Sequence, residues 1–343
     1  MTKIVLVTGG AGYIGSVLVG QLLSRGHKVR VLDRLFFGAK SIDPYRTNPD
    51  FSLFQDDVRY FDEKIMEGVE VVMDLGGLAN DPSCDLDPEA TLSINHRGSV
   101  RVASLAKKMG VGRYIFSSSC SIYGHGESTQ LHEESPKNPV SAYARAKLGA
   151  EQDILPLADD KFCVTFLRNA TVYGYSARMR FDLVVNMMTM YAWKTRKIHV
   201  LGGGKQWRPV VHVKDVGNAF ILAMESDKSK VNREAFNVGS SGQNYQVFQI
   251  ASMVRDVIPY VDVEIVPDDP DKRTYNVSFD KIQQRLGYKV ERTVHEGIVE
   301  TKQAMESGAV DPEDPRTVTL KYYKYLLDAE KTLKQVLYQG RIF

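Results

Sequence analysis

The chain of 343 residues, 43% hydrophobic and 25% charged, can bury a large core and is expected to divide into two unequal lobes. Its 44 Lys and Arg against 42 Asp and Glu leave a net charge of +2 without a dense basic run, which excludes an electrostatic surface for nucleic acid or an anionic membrane. No apolar run reaches the roughly eighteen residues of a membrane span and the N-terminus enters a strand directly, so no membrane partner and a cytoplasmic location are expected.

The first strand is expected at residues 4–7, followed by Val-Thr-Gly-Gly-Ala-Gly-Tyr-Ile-Gly at 7–15 and by a helix marked by Ile14, Leu18, Leu22 and Leu23. Strand, glycines and helix in that order turn a weak motif into a dinucleotide site. Gly9 and Gly12 allow a tight turn close to a pyrophosphate, and Gly15 lets helix and strand pack closely. The helix N-terminus, with Tyr13 and Ile14 in its first turn, offers free N–H groups and a partial positive charge. A second strand, 28–32, ends at Asp33, where a carboxylate accepts the adenosine ribose hydroxyls. The same carboxylate faces a 2′-phosphate with a repulsion of about 4 kcal/mol at about 4 Å and an effective dielectric near 20, which favours NAD over NADP. Arg34 is the counter-argument, because an arginine there can grip a 2′-phosphate; its bland reading is a solvated side chain near the adenine.

Asp57 and Val58 close a third strand, beside the adenine edge, and Leu75, Gly76 and Gly77 close a fourth at 69–75, where missing side chains let a cofactor lie against the backbone. A helix at 90–109, a strand at 113–117, a helix at 142–157 and a strand at 162–167 continue the alternation. The pattern predicts an α/β fold with a doubly wound parallel sheet, whose ligands lie at the carboxyl ends of the strands. Cys84, Cys120 and Cys163 form no Cys-x-x-Cys pair, so neither a disulfide framework nor a metal site is expected.

Past residue 167 the pattern loosens. Helices are expected at 181–193, 215–224, 246–257, 279–286 and 294–305, with a loop at 201–205 and a return segment at 210–213. The segment 317–337 reads as a terminal helix rich in tyrosine and lysine whose partner the sequence does not identify. The domains expected are a nucleotide-binding unit at 1–175, completed by a return segment at about 206–238, and a substrate lobe with the C-terminal helix at 176–343.

The chemistry centres on Tyr143 and Lys147, four residues apart and so on one face of a helix. A nearby ammonium favours the phenolate and lowers a pKa that is ordinarily about 10, making the tyrosine a usable general base. The preceding strand ends in Ser117-Ser118-Ser119. The glycine motif, Asp33, Asp57-Val58, Asn95 in Ile-Asn-His-Arg-Gly, the Ser-Ser-Ser to Tyr-Gly segment and the Tyr143/Lys147 pair together resemble the extended short-chain dehydrogenases/reductases, the family of UDP-galactose 4-epimerase and the nucleotide-sugar dehydratases. The resemblance covers residues 1 to about 300 and implies a Rossmann-type sheet, NAD as cofactor and a smaller C-terminal α/β substrate lobe. It implies that Tyr143 takes a proton from a sugar hydroxyl, Lys147 holds the nicotinamide ribose and Ser119 orients the hydroxyl. Asn95, Ser117 and Ala170 join the cofactor site on the same ground.

Departures from the family pattern bear on the reaction. The 4,6-dehydratases carry an Asp-Glu or Ser-Glu pair after the catalytic Thr, and here those positions are Cys120 and Ser121, so elimination of water lacks its proton carriers. The 3,5-epimerases place a cysteine at the Ser121 position; Cys120 is read as a buried filler. Thr171 replaces an asparagine that commonly contacts the substrate phosphate. With Ser119 and Ser121, candidate substrate contacts are Thr171, Arg178, Arg180, Arg208 and Arg273, since arginine forks suit a diphosphate; for Arg178, Arg180 and Arg273 a solvated surface role is the alternative.

The expected function is oxidation and reduction at C4 of a nucleotide-linked sugar, most simply by a 4-epimerase. A 4-dehydrogenase or 4-ketoreductase uses the same residues, and a non-catalytic NAD(P)-sensing protein is the rival of another class. The resemblance also implies a homodimer through a four-helix bundle of helices 90–109 and 142–157, to which Val100, Leu105, Ala142, Ala146, Ala150 and Ile154 offer small and apolar surface.

Overall fold

The computed structural model describes residues 2–124, 130–267 and 274–342. Twelve strands follow the chain: β1 Ile4–Thr8, β2 Lys28–Asp33, β3 Phe51–Gln55, β4 Val71–Asp74, β5 Arg113–Ser119, β6 Cys163–Asn169, β7 Thr171–Tyr173, β8 Lys197–Val200, β9 Trp207–His212, β10 Glu234–Val238, β11 Asn244–Gln246 and β12 Asp262–Ile265. Seven of them form one sheet in the order β10-β6-β5-β4-β1-β2-β3, every pair parallel. With helices covering both faces this is the doubly wound Rossmann-type fold. Such a sheet is buried on both sides, which is why β1 reads Ile-Val-Leu-Val-Thr without alternation.

One face carries helices Tyr13–Ser24 and Val213–Glu225 over Val5, Val7 and Val31; the other carries Ser99–Lys108 and Ala142–Ile154 over Leu6, Val72, Tyr114 and Phe116. A separate cluster forms beside the large sheet, in which Val185, Met188, Val210, Ile250, Val254 and Ile298 meet. There β7 and β11 flank β9, and β12 pairs with β8. The segment expected to return to the first lobe therefore splits: β9 stays in the small sheet, while helix Val213–Glu225 and β10 rejoin the large one.

Several expected boundaries shift by a few residues, and three elements differ in ways that bear on the site. The fourth strand is confined to Val71–Asp74, because Leu75 and Gly76 already leave the ladder, their N–H groups donating to the Thr8 hydroxyl at 3.1 and 2.9 Å. The helix expected at 90–109 is three pieces, Pro88–Thr91, a π-helical stretch Leu92–Gly98 and Ser99–Lys108. The helix expected from residue 181 begins at Val184, after a segment in which Arg178 and Arg180 line the large cavity and the Phe181 N–H donates to Thr317 O. Ala142, Ala146, Ala150 and Ile154, offered above as surface for a second copy, are at most 2% exposed within the chain itself, and Val100 and Leu105 pack partly against the same core. Their spacing marked the inner face of the helix.

Beneath this core a charged network is sealed. Arg168 on β6 donates from Nη2 to Glu151 Oε2 at 2.7 Å and from Nε to Oε1 at 3.0 Å, while its Nη1 reaches the Tyr123 hydroxyl at 3.1 Å and Glu133 O at 3.0 Å. Arg168 and Glu151 are both buried. Removing one partner leaves the other charge uncompensated, which costs about 3–5 kcal/mol. Glu151→Ala is therefore expected to lower the unfolding free energy by about that amount in urea titration, and a loss under about 1 kcal/mol would refute the pair's structural weight.

Candidate active site

The strand order reverses at β1 and β4, opening a crevice above their carboxyl ends. The chain closes on it so tightly that side chains are excluded. Gly9 sits at φ 65°, and a Cβ there would lie 2.7 Å from Leu75 O; a Cβ on Gly15 would lie 2.1 Å from Gly9 O. Helix Tyr13–Ser24 begins at Gly12 with no side-chain cap, so its first N–H groups stay available to an anion. On the far wall a Cβ on Gly76 would meet Val58 Cγ1 at 2.9 Å and one on Gly77 would meet Asn95 Oδ1 at 2.8 Å. This cradle of bare backbone fits a dinucleotide pyrophosphate.

Asp33 ends β2 with Oδ2 accepting the Ala11 N–H at 2.9 Å and Oδ1 accepting the Leu35 N–H at 2.7 Å. Burial raises its pKa, the two backbone donors opposing. Each oxygen keeps a second lone pair for a ribose hydroxyl. The bond to Leu35 holds that residue at φ 58°, a left-handed conformation costing about 1–2 kcal/mol, and so turns Phe36 and Phe37 over the pocket. Arg34 reaches along the cavity wall to Asp57, with Nε 3.5 Å from its Oδ2. Burial alone would raise the Asp57 carboxyl, but Arg59, 2.7 Å from the same oxygen, and Arg34 hold it below its usual range.

Gly9, Gly12, Tyr13, Ile14, Gly15, Asp33, Arg34, Asp57, Val58, Leu75, Gly76, Gly77, Ser117, Tyr143 and Lys147 all line this one cavity. Asn95 stands behind it: its side chain accepts the Leu78 N–H at 2.7 Å and donates to Leu78 O at 2.8 Å, fixing the loop after β4. Ala170 is buried just past β6, tied to Val238 O at 3.0 Å.

The three chemical groups converge from two elements. Ser119 is the last residue of β5, where its Oγ accepts the Ser121 N–H at 3.2 Å and its hydroxyl is bonded to Tyr143. Ser141 caps helix Ala142–Ile154, accepting the Ala144 N–H at 3.1 Å, and the first two turns present Tyr143 and Lys147 on one face. Lys147 Nζ donates to Ser117 O at 2.7 Å and lies 5.9 Å from the centre of the Tyr143 ring. The expected lowering of the phenol by this lysine is not what the structure shows. Burial pushes the Tyr143 phenol up, Cys84 and Asp81 adding to the rise, and the groups that oppose it are Arg180 and the Ser119 hydrogen bond. Burial also pulls the Lys147 pKa down, with Asp74, Cys84 and Glu151 opposing.

Among the candidate substrate residues, Arg178 and Arg180 face the same cavity. The Arg178 guanidinium lies 3.6 Å over the Phe37 ring and donates to Thr319 Oγ1 at 3.1 Å; burial, then the charge of Arg180, pull its pKa down to about 10. Arg180 forks onto Asp182 at 3.1 and 2.8 Å, and Asp182 in turn accepts from Asn80. Ser121 is buried with an unbonded hydroxyl, Thr171 is half-buried on β7, and Arg208 is buried on β9 away from the cofactor pocket, its Nη1 donating to Trp207 O at 2.9 Å. Arg273 lies outside the described residues. Cys120 is buried, its thiol 3.2 Å from Arg168 O and pushed up by that burial.

Sequence reasoning missed Phe36, Phe37, Asp182 and Tyr323 as parts of this wall. The two phenylalanines carried a signal, since they directly follow Asp33-Arg34. Tyr323 carried none, because its partners lie in three distant segments.

The model of the NAD dependent epimerase/dehydratase family matches residues 5–239. The UDP-glucose 4-epimerase of Corynebacterium glutamicum is 30% identical, over 89% of this chain and 96% of that enzyme. UDP-glucuronic acid decarboxylase 1 of Arabidopsis thaliana is 29% identical over 86% of this chain, which spans 68% of the plant protein. Among solved structures, the UDP-glucose 4-epimerase of Thermotoga maritima with UDP-glucose superposes with a TM-score of 0.79 at 27% identity, covering 90% of this chain and 100% of that one.

From its place at the end of β2, Asp33 is expected to offer both a ribose acceptor and a charge against a 2′-phosphate. Asp33→Ala is expected to weaken NAD at least tenfold while improving NADP relative to it. Fluorescence titration of both cofactors decides the matter: tighter NADP binding by the unaltered chain would transfer the selectivity to Arg34.

Proposed function

The chain belongs to the NAD dependent epimerase/dehydratase family, and on that premise we propose that it is a nucleotide-sugar 4-epimerase. The observation that carries this reading is that Tyr143 and Lys147 stand on the wall of a cavity built around bare glycine backbone, with Ser119, the last residue of β5, hydrogen-bonded to the Tyr143 phenol from behind that wall. NAD supplies a hydride acceptor and donor when bound. Asp33 and the uncapped helix at Gly12 would hold its ribose and pyrophosphate, and Lys147, anchored on Ser117 O, would reach its second ribose.

Tyr143 takes the proton of the sugar 4-hydroxyl as that carbon is oxidised, and returns it when the carbon is reduced from the opposite face. Ser119, bonded to the phenol, holds the hydroxyl in line. Arg180 contributes a positive field that favours the phenolate against burial.

Two observations support epimerisation over the other reactions of the family. The positions after Ser119 are a buried thiol and a buried hydroxyl, Cys120 and Ser121, neither able to carry the protons of a dehydration. A decarboxylase must hold a sugar carboxylate, and Arg180, the cation acting on Tyr143, is already forked onto Asp182. A 4-dehydrogenase or 4-ketoreductase would use the same three groups and differs only in releasing the reduced or oxidised cofactor. The homodimer implied by the resemblance belongs to this reading, its contact drawn from outward side chains of helices Ser99–Lys108 and Ala142–Ile154; a two-chain mass is expected in light scattering, and a one-chain mass at micromolar concentration removes it.

Purified protein incubated with UDP-, GDP-, dTDP- and CDP-sugars is expected to convert one C4 epimer to the other without net NADH absorbance. Tyr143→Phe is expected to lower kcat at least about a hundredfold with NAD binding nearly unchanged, and Lys147→Ala to impair both. Near-normal turnover in Tyr143→Phe would sink the assignment, and stoichiometric NADH from any sugar would replace epimerase by dehydrogenase.

A further inference from the structure

We infer that residues 316–323 are a strap across the cofactor pocket, with Tyr323 as the side chain that keeps NAD in place through turnover. The strap lies outside the segment 5–239 that the family model matches.

Its hold on the pocket is specific. The Phe181 N–H donates to Thr317 O at 2.8 Å. The buried Thr319 hydroxyl accepts from Arg178 Nη2 at 3.1 Å and donates to Asp182 Oδ1 at 3.4 Å, so one side chain ties the helix Thr319–Val336 to Arg178 of the pocket wall and to Asp182, the ion-pair partner of the lining residue Arg180. One turn on, Tyr323 is buried in the cavity lining, its ring centre 6.4 Å from that of Phe36 and 5.6 Å from that of Phe37. The same helix packs against Asp81–Cys84, the segment whose Asp81 acts on the Tyr143 phenol. The strap therefore touches the wall that follows Asp33 and the wall that leads to Tyr143. A dinucleotide engaged with both ends of this cavity cannot leave without parting Tyr323 from Phe37, which also uncovers the Arg178 guanidinium stacked on the same ring.

A retained cofactor suits an enzyme that gives hydride back to the molecule it came from, whereas a dehydrogenase must exchange its cofactor every turnover. This meaning for turnover rests on the epimerase reading; the retention itself rests on the pocket alone.

The test is NAD release, measured without any sugar. The full chain is expected to purify with NAD bound and to exchange it slowly against radiolabelled NAD. Tyr323→Ala and Thr319→Val are each expected to speed exchange at least tenfold, and Lys324→Ala, exposed on the same helix, to leave it unchanged. Should a variant fail to fold, hydrogen exchange on the unaltered chain gives a second readout: NAD is expected to protect the amides of residues 319–323. Exchange within twofold of the unaltered chain in both variants, no added protection, or free exchange of NAD from the unaltered chain would each overturn the strap. Net NADH from the sugar panel beside slow NAD release would instead overturn the epimerase reading and leave the strap standing.

Discussion

Backbone meeting backbone at the top of β1 is the constraint on which the rest of this structure depends. A Cβ on Gly15 would stand 2.1 Å from Gly9 O and one on Gly9 would stand 2.7 Å from Leu75 O, so the connections after β1 and β4 approach to van der Waals contact with nothing between them. That approach sets the floor of the cavity, leaves the first turn of helix Tyr13–Ser24 open to an anion, and puts the end of β4 within reach of the Thr8 hydroxyl. Asp33, Ser117 and Lys147 are then placed by the sheet itself, since each belongs to an adjacent strand or to the helix packed on it.

Around this floor the walls are made of charges that hold one another. Asp182 gathers Asn80, Arg180 and Thr319, three segments far apart in the chain, and Arg178 lies between an aromatic ring and a hydroxyl. Burial governs the electrostatics there: it raises Asp33 and Tyr143 and lowers Arg178 and Lys147, each toward its neutral form.

What was legible beforehand was local. Gly9, Gly12 and Gly15 with the strand before them, Asp33 at the next strand end, and the four-residue interval from Tyr143 to Lys147 are fixed spacings, and each landed on the cavity wall. What was illegible depended on separation or on sign. The contacts of Tyr323 with Phe36 and Phe37 join opposite ends of the chain and leave no periodic trace. The alanines of helix Ala142–Ile154 have the same spacing whether they face a partner or their own chain, and they are buried within their own chain. The effect of Lys147 on Tyr143 is ordinarily favourable, but how much burial opposes it is visible only in three dimensions.

The last strand of the large sheet, β10, enters beside β6 only after the chain has built β7, β8 and β9 of the other lobe. On the ribosome, where synthesis runs at about 5–20 residues per second, β6 is complete several seconds before its neighbour exists. For that interval its outer edge offers unpaired N–H and C=O groups in a strand buried along its whole length in the finished fold. The nascent sheet is thus open on one side at its most apolar stage, and a chaperone that binds extended apolar segments would find its natural moment there. The interleaving also means that neither lobe can be cut free of the other at a single peptide bond.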